Sequence, residues 1–320
     1  MLNTPDQENQ TSWNRRRFLQ SSILGAGALV AGSPRIVTAA EPVERNGQSH
    51  FKLSLAAYSF HRHLVRDWTP ETQANAEMTL DDVIQYAADQ NLDAVELTSY
   101  YFPQDVTNDY LMHLKQLTFK LGLDISGTAI GNDFGLEEGE ARQEQLAYTR
   151  TWIDHAATMG APVIRIFAGK TPKGDTDSAA IARCAAGINE SLDYAAKKGV
   201  FLTLENHGGI TSTPEQMLDI ISQVKDSPWF GVNYDGGNFR TDDPYRDLAV
   251  IAPYALNAQL KVSLHPADKP AEKADFARQL RMLKEAGYRG YIVLEYEEKE
   301  EPREAIPAII EELKAAIAEV

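Results

Sequence analysis

Apolar and polar positions along this chain follow a repeating unit, in which a helix-period stretch closes on glycine or asparagine and a β-rich run follows. Thr79-Leu80-Asp81-Asp82 reads as a capping box whose helix runs to Asn91, ahead of Ala94-Val95-Glu96-Leu97. Further helices end near Gly122, at Gly160 and at Gly199, each just before an apolar run: residues 124–126, 163–167 and 200–204. Thr213 and Pro214 suit an N-cap and a first-turn proline, and their helix gives way to residues 230–234. Gly287 precedes residues 290–294, while residues 53–58 and 256–261 read as strands at the front and near the end. A left-handed C-cap costs a residue with a Cβ about 1 kcal/mol, which accounts for glycine at these closures.

Roughly eight strands therefore alternate with helices. Alternation means a parallel sheet, and eight units favour closure into a (β/α)8 TIM barrel over an open, doubly wound sheet. No Gly-x-Gly-x-x-Gly follows a strand, which argues against a dinucleotide fold. Nothing inside residues 51–320 resembles a linker, so the barrel is read as a single domain, with residues 41–50 as a linker before it.

The first 40 residues break the pattern. A polar start leads to Asn14-Arg15-Arg16-Arg17-Phe18-Leu19-Gln20, then to a Gly/Ala-rich apolar stretch and to small residues ending Val37-Thr38-Ala39-Ala40. Basic region, short apolar region and small-residue cleavage site make a signal peptide, and the arginine pair resembles a twin-arginine export signal. The expected location is the periplasm or the extracellular space of a bacterium. Beyond this segment no apolar run reaches the length of a membrane span, so the mature form is expected to have none. The lone Cys184 excludes an internal disulfide. A formal charge of −15, without a basic stripe, argues against nucleic acid as a partner. Homo-oligomerisation is left open.

Function in such barrels lies at the C-terminal ends of the strands. Those ends carry Glu96, Glu205-Asn206-His207, Asp235, Gln259-Leu260-Lys261 and Glu295. Strand side chains alternate, so each acid can point into the barrel with the residue two before it. Carboxylates converging on one rim repel each other unless something neutralises them. A divalent cation is the simplest neutraliser, and carboxylate, amide and imidazole donors suit Mn²⁺, Mg²⁺ or Zn²⁺.

From residue 51 onward the chain resembles the xylose-isomerase-like barrel superfamily of sugar isomerases and epimerases, which includes hydroxypyruvate isomerase-like proteins. Three segments carry the resemblance: Leu202-Thr203-Leu204-Glu205-Asn206-His207, Asn233-Tyr234-Asp235-Gly236-Gly237-Asn238, and Gly287-Tyr288-Arg289-Gly290-Tyr291-Ile292-Val293-Leu294-Glu295. It implies a metal held by Glu205, Asp235, Glu295 and a seventh-strand residue, with Mn²⁺ as the first expectation and Mg²⁺, Zn²⁺ or Co²⁺ as alternatives. Relatives often show His-x-Lys on that strand, where this chain has Gln259-Leu260-Lys261. Gln259 is the expected fourth ligand, with His265 as the alternative. Glu205 and Glu295 are the expected catalytic pair. His61, Glu96, His207, Asn238 and Lys261 are candidates to bind substrate, against plainer structural roles for each. Phe60, Tyr100, Tyr101, Phe102 and Trp229 are candidates to flank a sugar ring or simply to pack. The run Glu297-Glu298-Lys299-Glu300-Glu301 reads as a solvated loop.

The resemblance implies isomerisation or epimerisation of a small sugar or keto-sugar, by proton transfer through a metal-stabilised enediolate. A keto-sugar lyase or hydratase on the same site is the alternative enzyme, and a non-catalytic carbohydrate-binding barrel the alternative outside enzymes. Export carries its own test. Replacing Arg15 and Arg16 with lysine is expected to leave the precursor in the cytoplasm on fractionation, whereas processed protein in the envelope would contradict the twin-arginine reading.

Overall fold

The computed structural model describes residues 39–320. Eight parallel strands close into a barrel: β1 (Phe51–Ala56), β2 (Ala94–Thr98), β3 (Asp124–Ala129), β4 (Val163–Ile166), β5 (Phe201–Glu205), β6 (Phe230–Asp235), β7 (Ala255–Lys261) and β8 (Gly290–Glu295). Each pairs with its chain neighbours, and β1 with β8 closes the circle from Phe51↔Gly290 to Leu55↔Leu294. An outer helix follows each strand: α1 (Leu80–Asp89), α2 (Asn108–Lys120), α3 (Glu140–Met159), α4 (Asp177–Lys198), α5 (Pro214–Gln223), α6 (Pro244–Ile251), α7 (Phe276–Glu285) and α8 (Pro302–Glu319). The expected (β/α)8 TIM barrel is what the chain forms.

The local signals explain where elements begin and stop. The Thr79 side chain accepts from the Asp82 amide and Asp82 reaches back to the Thr79 amide, a capping box. Thr213 does the same with Gln216, with Pro214 in the first turn. Gly160 and Gly199 end α3 and α4 at φ of +85° and +73°, a conformation that disfavours any residue with a Cβ. The strands are buried on both faces, as a helix-covered barrel requires. Leu202 and Leu204 of β5 join the apolar layer between barrel and helices, while Thr203 and Glu205 alternate with them.

The barrel interior is unusually polar. The Ser54 and Ser126 hydroxyls meet at 2.8 Å. Higher up, Glu96 accepts from Gln259 at 2.6 Å and from Asn257 at 3.2 Å. Asn257 also donates to Asn233 at 2.8 Å, and Asn233 donates to the Gln259 carbonyl at 2.6 Å. Register shifts in the β2–β3 and β6–β7 ladders fall at Val95/Glu96 and Val232/Asn233, where such irregularities re-aim the side chains feeding this ring.

At the N-terminal end of the strands, Ala40 and Val43 donate backbone bonds to Val224 and Pro253, and Arg45 donates to the Ala255 carbonyl at 2.8 Å. Residues 41–50, expected as a linker, thus hydrogen-bond along this end. The expected signal segment lies outside the described residues, apart from Ala39 and Ala40. A small antiparallel ribbon, Ser263–Leu264 with Glu272–Lys273, follows β7. No helix among the described residues is long and apolar enough to cross a membrane.

Candidate active site

Strand alternation carries six charged side chains into the C-terminal end of the barrel: Glu96, Arg165, Glu205, Asp235, Lys261 and Glu295. All six are 9 % exposed or less. Ladder register sets Glu295 opposite Lys261, while Asp235 stands opposite Gln259 and Arg165 opposite Thr203.

Glu205 is held from both sides. Its Oε2 lies 2.6 Å from Arg165 Nε, and its Oε1 accepts from Asn238 at 2.8 Å. Arg165 also donates to the Ile130 carbonyl at 2.7 Å and lies over the Phe167 ring at 3.9 Å. Burial pushes the Glu205 carboxyl up to about 7 while the Arg165 charge pulls against it. The Lys261 ammonium gathers the remaining acids: Asp235 at 3.5 Å, Glu295 at 3.2 Å and Glu297 at 3.0 Å. Burial disfavours that ammonium, yet Asp235, Glu295 and Glu297 together hold it well above its ordinary pKa. Asp235 is fully buried, which raises its pKa well above the carboxylate range against the pull of Lys261. Its Oδ1 accepts the Gly237 amide at 2.8 Å, and the Asn206 side chain brackets its backbone, tying β5 to β6.

Arg165, Glu205, Lys261, Glu295 and Glu297 border a cavity of about 180 Å³ that is also lined by Tyr58, Arg66, Tyr100, Phe167 and His207. His207 packs on Phe167 with ring centroids 4.1 Å apart. Burial, with Arg165 and Lys261 nearby, pulls its pKa down to about 4, so the ring is neutral at neutral pH. Arg66 lies over the Tyr100 ring at 4.3 Å. His207 also borders two further hollows, one along Gly131–Asp133 and Gly169 and one along Ser212, Thr213 and Arg240.

Among the expected site residues, Glu205, Glu295, His207 and Lys261 meet on this cavity. Asp235 sits just beneath it through Lys261, and Asn238 reaches it through Glu205. Glu96 does not: Gln259 and Asn257 take its two oxygens in the barrel interior, and burial raises its carboxyl to about 7. His61 folds back on its own turn, against the Tyr58 carbonyl and ring. Of the aromatics, Tyr100 lines the cavity, whereas Phe60, Tyr101 and Phe102 are core residues. Trp229 packs on Phe201 at the opposite end of the barrel. Sequence reasoning passed over Arg165, Tyr58, Arg66, Phe167 and the cavity side of Glu297. Arg165 had a legible signal, a lone charge inside the apolar strand Val163-Ile164-Arg165-Ile166.

The donor set does not fit the expected metal. Gln259, opposite Asp235 in the β6–β7 ladder, has both ends of its amide engaged, by Glu96 and Asn233. His265 borders none of the three hollows at this end. Among the described residues no group of three or more His, Cys, Asp or Glu side chains is arranged to hold an ion. The space between Asp235 and Glu295 belongs to an ammonium. Two unit charges about 4 Å apart interact by about 4 kcal/mol at an effective dielectric of 20, and a divalent ion beside Lys261 would meet twice that repulsion.

A family model described as xylose isomerase-like TIM barrel matches residues 84–316. No curated protein sequence matches the chain. Among solved structures, the chain is similar to a xylose isomerase domain protein from Planctomyces limnophilus, at 17% identity and a TM-score of 0.63, with 84% of this chain and 98% of that one covered. It is similar to D-psicose 3-epimerase from Clostridium cellulolyticum H10 (13% identity, TM-score 0.66, 83% and 99% covered). A third likeness is to 3-keto-D-glucoside 4-epimerase from E. coli (15% identity, TM-score 0.61, 84% and 100% covered). At such identities the likeness is one of fold.

The Arg165–Glu205 pair generates a stability test. Arg165→Met strands a buried carboxylate and is expected to cost about 3–5 kcal/mol in chemical denaturation. Adding Glu205→Gln removes that charge and should return a large part of the loss. Strictly additive effects in this cycle would contradict the pairing.

Proposed function

The chain belongs to the xylose isomerase-like TIM barrel family, and from that premise we propose that it is an isomerase or epimerase of a small sugar or keto-sugar. The reaction proposed is proton transfer at a carbon next to a carbonyl. One observation carries the reading: Glu205 and Glu295 border a single small cavity together with Arg165 and Lys261. Two carboxylates can remove a proton from one face of a carbon and return it to the other, and two fixed cations can stabilise the enediolate formed between those events. The cavity, of about 180 Å³, shares His207, Lys261 and Glu297 with a neighbouring hollow at the same end of the barrel. The epimerases among the similar structures support the same reaction class.

The residues divide the work as follows. Asn238 and Arg165 fix the Glu205 carboxylate, so its proton-accepting oxygen is held rather than searching. Tyr58, Tyr100 and Phe167 wall the cavity. Glu297 is the half-exposed partner of Lys261, with 39 % of its side chain accessible, and is the group that an entering sugar oxygen displaces. The divalent metal of the family resemblance has no step in this scheme, because the residues present do not fit it.

Deuterium exchange tests the proposal. A ketose substrate, found by screening free ketoses and keto-glycosides in D₂O by proton NMR, is expected to take up deuterium at the carbon beside its carbonyl. Glu205→Gln and Glu295→Gln should each slow exchange by about 10²–10⁴-fold. A sugar that binds the wild-type protein tightly and never exchanges would replace this reading with that of a carbohydrate-binding barrel.

A further inference from the structure

We propose that Lys261, with Arg165, supplies the positive charge of this rim from the chain itself, in place of a bound divalent cation. The inference deepens the reading above, since it concerns the same cavity. Its first ground is position: the Lys261 ammonium lies within 3.5 Å of Asp235, Glu295 and Glu297 at once, and Arg165 closes on Glu205 at 2.6 Å. Every acid that would ligate an ion is thereby already matched with a cationic side chain.

Its second ground is how the lysine is held. A Cβ added to Gly237 would fall 2.8 Å from Lys261 Cβ and 2.9 Å from its Cδ, so the stem lies in room that only glycine leaves. At Gly236 an added Cβ would meet the Gln279 amide and Leu260. The Gly236-Gly237 turn after β6 is thus the bed of the Lys261 stem, and the Asp235 carboxylate anchors that turn through the Gly237 amide. The third ground is Gln259. In the place where the family resemblance puts a fourth ligand, this chain has an amide that completes a closed ring with Glu96, Asn233 and Asn257.

The consequence is a site whose charge is present whenever the protein is folded, independent of metal supply. The test uses the purified protein and simple salts. Elemental analysis should find far less than one Mn, Zn, Mg or Co per chain. The melting temperature should be the same in EDTA and in millimolar MnCl₂, ZnCl₂ or MgCl₂. A folded-state ligand at ~1,000 times its dissociation constant would raise it by several degrees. Near-stoichiometric metal, or such a rise, would overturn the proposal. As a gain-of-function arm, Gln259→His with Lys261→Met vacates the ammonium and adds an imidazole, and this double variant should gain a melting shift with MnCl₂. If it folds and stays indifferent, the ammonium is not what stands in the ion's place and the proposal fails; if it does not fold, the wild-type measurements decide alone. Bound metal together with continued deuterium exchange would sink this inference only, whereas a metal-free protein that exchanges no sugar would sink the functional reading only.

Discussion

Carboxylates converge on the end of this barrel, and their mutual repulsion is the constraint around which the site is organised. Glu96, Glu205, Asp235 and Glu295 arrive on four different strands with almost no exposure to water. Unpaired, such groups could not remain charged in so dry a place. The fold answers in two layers. The upper layer matches acids with Arg165 and Lys261; the lower one surrounds Glu96 with the amides of Gln259 and Asn257. Neither arrangement need add net stability, because desolvation of buried ions offsets most of their attraction. What both secure is a fixed placement of charge.

Fixed charge is what the proposed chemistry requires. A donor that is already oriented loses no energy to reorganisation when negative charge develops on a substrate oxygen. The supporting contacts reach well past the cavity. Asn206 straps β5 to β6 around Asp235, Gln279 of α7 donates to the Gly236 carbonyl at 3.1 Å, and the Gly236-Gly237 turn seats the Lys261 stem. On the proposal above, Lys261 and Arg165 stand where the family resemblance expects a metal. Where the family resemblance led to an expectation of His-x-Lys, the seventh strand carries Gln259-Leu260-Lys261, with its glutamine turned to the interior ring and its lysine to the acids.

Much of this was legible in the residues. The capping boxes at Thr79 and Thr213, the closing glycines at 160 and 199 and the apolar runs after them specify each βα unit locally, and eight such units leave little choice of architecture. Acids at strand ends were legible too, since alternation places Glu205, Asp235 and Glu295 on the inner face. Pairing across the barrel was not. Gln259 and Glu96 are 163 residues apart, and no local pattern says that one amide will serve the other. Depth was equally hidden: alternation puts Glu96 and Glu295 on the same inner face but does not say that one lies below the rim. Trp229 was read as a candidate to flank the sugar and lies at the far end, a height that the expected strand at residues 230–234 already implied, since Trp229 stands just before its start. Arg165 could have been found, as a charge that an apolar strand would carry only toward a partner.

The most direct measurement is a crystal structure of the protein with an exchangeable ketose bound, grown in MnCl₂ and recorded at a wavelength where manganese scatters anomalously. The account predicts sugar oxygens within hydrogen-bond distance of Lys261 Nζ and Arg165, the exchanging carbon between the Glu205 and Glu295 carboxylates, and no anomalous peak at the rim. An anomalous peak among Glu205, Asp235 and Glu295, with the Lys261 ammonium swung away from them, would contradict it.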